Sequence, residues 1–128
     1  MNESDRQTLI RLQREKAERF LRQAEEMRDL HYLDLAANRY YYACFHAVQA
    51  LFLRDSISAH THAGVVAQFS LHYIKSGSLP LRYGSLLARM MQLRQKADYN
   101  CAYDISEEEL CHIAPLAVEF VETIVGIL

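Results

Sequence analysis

The sequence predicts an all-α protein, an antiparallel bundle of four to five helices, and three observations lead there. Apolar residues recur at steps of three and four over long stretches. Strand-like alternation is absent, and only four Gly and two Pro interrupt the 128 residues, too few for a many-turned β protein. The breaks that do occur are short, so successive helices must fold back on one another. At this length a single domain spanning 1–128 is expected, large enough to bury roughly two thirds of its unfolded surface.

The first helix is expected to start at the capping-box spacing of Ser4 and Gln7. Leu9, Leu12, Lys16, Phe20, Ala24 and Met27 then mark an inward stripe, with Glu15–Arg19 and Glu18–Arg22 pairs outside. A second helix, about 32–54, would face inward through Leu33, Ala37, Tyr40, Cys44, Ala47 and Leu51. "DSISAHTHAG" reads as a loop in which Thr61 or Ser58 caps a third helix, about 62–75. "SGSLP" is a turn, and Pro80 suits the first turn of a fourth helix that fades near Asp98. Ser106 and Glu109 form another capping box for a last helix to about Ile127, with a kink expected near Cys111 or His112 because of Pro115.

No run of about 20 apolar residues suggests a membrane span. The charged start "MNESDRQ" is unlike a signal peptide, so a cytoplasmic location is expected. Cys44, Cys101 and Cys111 are odd in number and lack CxxC spacing, which reads as reduced thiols. His60 and His62 resemble a metal pair, but two ligands without a nearby acid make a poor site, so neither metal nor cofactor is expected. His62, opening a helix, is better suited to bind an anion or to cap the helix.

Charge is unevenly distributed. Residues 38–100 hold seven cations and two acids, a net of +5, and the rest hold seven cations and fourteen acids, a net of −7. Either the middle forms a basic face for phosphate or RNA, or the acidic C-terminal segment packs beside it. The row Tyr40-Tyr41-Tyr42 fans over roughly 200° of a helix, so all three cannot share one face. With Tyr40 inward, Tyr42 joins a stripe with Arg39 and His46, suited to an interface or a site, or else to packing at the bundle edge. Arg94 and Asp98 stand at i and i+4 in "RQKADY": a phosphate site, or an ordinary helix ion pair with Tyr99 closing the bundle end.

In order along the chain, "RYYYACFHAVQALF", "THAGV" and "LRQKADY" resemble the HEPN superfamily, most closely its small stand-alone UPF0332-type branch, over about residues 15–125. The resemblance implies a helical bundle that commonly forms a homodimer and often acts with a minimal nucleotidyltransferase partner as a toxin–antitoxin pair. It further implies nucleotide or RNA as ligand. Catalytic members are metal-independent RNases with an Arg-x4–6-His motif. Here Arg94 matches the arginine, but Tyr99, Asn100 and Cys101 occupy the three histidine positions. Tyrosine, with an ordinary pKa near 10, is a poor base at neutral pH. The expectation is therefore a binding protein with little nuclease activity, with Arg94, Asp98, Tyr99, Arg39, Tyr42, His46 and His62 as its ligand-binding residues. The alternatives are an RNase in which His46 or Tyr99 replaces the missing histidine, and an interaction module without ligand. A homodimer is also expected from the last helix, where Val118, Val121, Val125 and Leu128 flank the face of Ile113, Leu116, Phe120 and Ile124.

Overall fold

The computed structural model describes residues 1–128 and contains α-helices α1 (Glu3–Asp29), α2 (Leu33–Asp55), α3 (His62–Phe69), α4 (Leu81–Tyr99) and α5 (Glu107–Ile127), with no strand. The all-α bundle expected from the periodicity is the observed fold. α3 runs on into a π-helical turn, Ser70–Ile74, which completes the third helical segment.

α1 and α2 form a long hairpin closed by a tight corner at His31, and α2 packs in turn on α4 and α5. This central position explains its burial. Tyr40 and Tyr41 are both buried, as are Ala36, Ala43, Cys44, Ala47, Val48, Leu51 and Phe52. A helix covered on several sides needs no single apolar stripe, so the inward face is wider than a one-sided amphipathic reading gives. Tyr42 is the tyrosine of the row that stays half-exposed.

Helix starts follow local chemistry. The cap of α1 lies two residues before the expected Ser4, at Asn2, whose carboxamide accepts from the Asp5 amide at 2.8 Å. The second half of the expected α1 stripe faces the core through Phe20, Ala24 and Met27, whereas in the first half Ile10 and Ala17 are buried and Leu9 and Leu12 are exposed. Ser106 caps α5 through the Glu109 amide at 3.1 Å, as its spacing predicts, with Glu107–Glu109 at the positive end of the helix dipole. Pro115 lies inside α5, which remains one continuous helix.

α5 has the length and composition of a membrane span, with a mean hydropathy of 1.6 over its most apolar window. Its apolar side is used within the bundle instead. Leu110, Ile113, Ala114, Ala117, Phe120, Val121 and Ile124 are buried, and Leu116, Val118, Val125 and Leu128 pack against the same core. Of the second stripe that suggested a dimer face, Val121 is buried, while Val118, Val125 and Leu128 stay half-exposed.

At the far end of the hairpin Asp55 ties three elements together. It pairs with Arg54 at 2.8 Å and accepts from the Tyr73 hydroxyl at 2.6 Å, while Arg54 donates to the Ile127 carbonyl at 2.7 Å. The Arg54 guanidinium, and then the Tyr73 hydroxyl, hold the Asp55 carboxyl below its ordinary pKa. A depressed carboxylate pKa stabilises the fold above the unfolded value near 3.9 and loses that contribution as pH falls through the folded value. Asp55→Asn is therefore expected to cost about 1 kcal/mol near neutrality. The gap from wild type in urea midpoint should narrow as the pH falls below the ordinary carboxylate range and through the depressed folded-state value.

Candidate functional site

The loop "HTHAG" builds one wall of the candidate site. Thr61 caps α3 by accepting from the Gly64 amide at 2.9 Å, and a Cβ at position 64 would lie 2.9 Å from the same hydroxyl. Glycine there lets the cap close, and the cap fixes the helix start at His62. The His62 ring stacks on Phe45 at 4.8 Å, and its Nδ1 is hydrogen-bonded to the Tyr41 hydroxyl at 2.5 Å. Both partners come from α2, so the tyrosine row and the THAGV motif meet in space.

α4 supplies the cation. Arg94 Nε donates to the Tyr42 hydroxyl at 3.1 Å, and the guanidinium lies 6.0 Å from the ring centres of both Tyr41 and Tyr42. Asp98 is 3.6 Å from Nη2, an ion pair longer than a good hydrogen bond. Partial burial pulls the Arg94 pKa down, but the Tyr42 hydroxyl and Asp98 outweigh it, so the group stays charged above its ordinary value. His62 is pushed below its ordinary pKa by burial and then by the Arg94 charge, with Asp98 opposing. Burial pushes the Tyr41 phenol up to about 12, so it remains protonated at neutral pH.

Beside Arg94 is a cavity of about 60 Å³, lined among others by Asp34, Tyr41, Met90, Leu93, Asp98, Tyr103 and Ile105. That is well under the roughly 150 Å³ in which a cavity accepts benzene. At that size it does not enclose a nucleobase.

The expected site residues divide into two groups. Arg94, Asp98, Tyr42 and His62 come together, joined by Tyr41, which the sequence reading left aside. Tyr99 is 89% exposed and far from closing the bundle end. His46 turns toward α1, its Nδ1 2.8 Å from Gln13 Oε1 and its ring edge-on to Phe20 at 5.4 Å. Burial, then Lys16 and Arg19, push its pKa down to about 4. Arg39 lies over the Phe20 ring at 4.8 Å. The signal for Tyr41 and His62 was present in two motifs, but nothing in one sequence says which motifs touch.

The basic middle is not one basic face. Arg82 pairs with Glu119 and Arg89 with Glu109, both on α5, and Arg54 pairs with its neighbour Asp55. The acidic C-terminal helix accounts for two of these pairs, as the second reading of the charge pattern allowed. No group of three or more His, Cys, Asp or Glu residues is arranged to hold a metal ion.

A five-helix bundle with a partly buried, aromatic-backed arginine near the end of its fourth helix defines a class of small helical proteins. The HEPN domain model matches residues 10–128, and the chain belongs to the HEPN family. A UPF0332 protein of Thermotoga maritima is 33% identical over 110 residues, covering 86% of this chain and 82% of that protein. A protein of Methanocaldococcus jannaschii named "putative toxin" is 34% identical over 95 residues, covering 74% of this chain and 65% of its own length. A second protein so named in the same organism is 37% identical over 73 residues, covering 57% of this chain and 54% of its own.

Proposed function

We propose that this chain is the HEPN half of a two-protein, toxin–antitoxin-like module with a minimal nucleotidyltransferase, and that it holds a nucleotide or RNA phosphate at Arg94. The carrying observation is a guanidinium fixed by Tyr42 and flanked by Tyr41 that no carboxylate meets at good hydrogen-bond distance. Its remaining N–H groups are free for a phosphate, which takes planar bidentate donors well. The names of the two M. jannaschii relatives support the toxin side of the module. The family also leads us to propose a homodimer, for which the half-exposed Val118, Val125 and Leu128 offer apolar surface. The test is equilibrium binding of a nucleoside monophosphate to wild type and Arg94→Ala. Equal affinity in the two proteins would refute the assignment.

A second reading, a metal-independent RNase, is favoured by one observation. His62, rather than His46, is the histidine that shares Tyr41 with Arg94, and the Arg94 charge depresses its proton affinity. A general base needs a pKa near the working pH and a free ring nitrogen. With Nδ1 held by Tyr41, only Nε2 could serve. Purified protein is expected to cleave RNA little or not at all. Cleavage abolished by both Arg94→Ala and His62→Ala would establish the nuclease instead.

A further inference from the structure

Outside the Arg94 site, a group of cations without acidic partners lies on the α1–α2 hairpin. The sequence suggests Glu15–Arg19 and Glu18–Arg22 pairs, but both glutamates turn toward the preceding turn. Glu15 pairs with Arg11 at 3.5 Å and Glu18 with Arg14 at 3.7 Å. Arg19 is left without an acidic partner, and Lys16 and Arg39 have none either. These three cations nonetheless converge on one ring: Lys16 is 5.7 Å, Arg19 5.8 Å and Arg39 4.8 Å from the centre of Phe20. Like charges gathered this way repel, and the ring quadrupole offsets only part of it. An anion would relieve the rest.

We propose that Lys16, Arg19 and Arg39, around the half-buried Phe20, form a second phosphate subsite, so that the chain takes a single-stranded oligonucleotide rather than a mononucleotide. This rests on the reading of Arg94 as the first phosphate site. Aromatic steps connect the two cationic centres. Tyr42 reaches Arg94, the Tyr42 and His46 rings are 6.3 Å apart, and His46 meets Phe20 at 5.4 Å. One phosphate cannot span that series of rings, whereas a strand alternating phosphates with bases can. Cations interleaved with partly exposed aromatic rings are the arrangement that tracks single strands. An acidic peptide would use the charges and leave the rings without a role. His46 is uncharged near neutrality, so its ring sits in the path as a flat surface.

The probe is an oligothymidylate about a dozen residues long, which has no 2′-hydroxyl and so cannot be cut by transphosphorylation. Uridine monophosphate reports on Arg94 alone. The triple variant Lys16→Ala/Arg19→Ala/Arg39→Ala is expected to bind the oligonucleotide about tenfold or more weakly. Its salt dependence should be shallower by about two in the logarithmic slope, as counterions of up to three contacts are no longer released. Uridine monophosphate binding should be unchanged in it. Phe20→Leu, which keeps every charge, should weaken the oligonucleotide alone and serves if the triple variant is poorly folded. Loss of mononucleotide binding only in Arg94→Ala, with the triple variant binding oligonucleotide as wild type does, would overturn the second subsite and spare the first. Failure of wild type to bind the oligonucleotide, or equal binding of polyglutamate, would overturn it too.

Discussion

Arg94→Ala is expected to weaken binding of a nucleoside monophosphate by about tenfold to a hundredfold. A hydrogen bond to a charged partner is worth about 1.5–3 kcal/mol, and each 1.4 kcal/mol is tenfold. The guanidinium is held by Tyr42 and its side chain is 27% exposed, so it reaches an anion with its orientation already fixed. Arg6→Ala, which removes a cation that instead bonds Ser56 at the far end of the hairpin, should change affinity by no more than about twofold. Similar losses from both changes would mean that diffuse charge alone attracts the ligand. Titrations of wild type and both variants at one ionic strength decide it.

Phe120→Ala is expected to have the largest effect on stability, about 3–5 kcal/mol. The ring is fully buried on α5, with Phe69 at 5.5 Å and Tyr83 edge-on at 5.2 Å. Its removal loses the transfer energy of the side chain, leaves a cavity and breaks two aromatic pairs. Small domains are stable by only about 5–15 kcal/mol, so urea unfolding should show a much lower midpoint with little change in slope. Leu12→Ala, on the exposed side of α1, should shift stability by no more than about 0.5 kcal/mol, although the sequence places both residues on apolar stripes.

That contrast marks how far one sequence could be read. Helix number and approximate boundaries were legible because they depend on local chemistry: Ser106 and Thr61 cap the helices their spacing implies, and "SGSLP" turns through Gly77 at φ 80°. The inward stripe of α1 was legible in its second half, where Phe20, Ala24 and Met27 face the core, but not in its first. There Ile10 is buried in place of Leu9, a choice that only the packing of α2 against α1 makes.

The candidate site divides in the same way. Arg94 and the motifs that hold Tyr41, Tyr42 and His62 were visible as residues, and the Arg94–Asp98 pair follows from helical spacing. That His62 approaches Arg94, while Tyr99 points into water and His46 turns to Gln13, depends on how α2, α3 and α4 pack. Charge shows it most plainly. The sequence determined which residues are charged and that the chain is helical, since both follow from residue type and near-neighbour spacing. Only the tertiary structure decided which charges cancel: α5 neutralises Arg82 and Arg89 in the basic middle, and α1, with as many acids as cations, leaves Lys16 and Arg19 without partners. Coulombic pairing falls off within a few ångströms in water, so it depends on contacts between helices that no count along the chain contains.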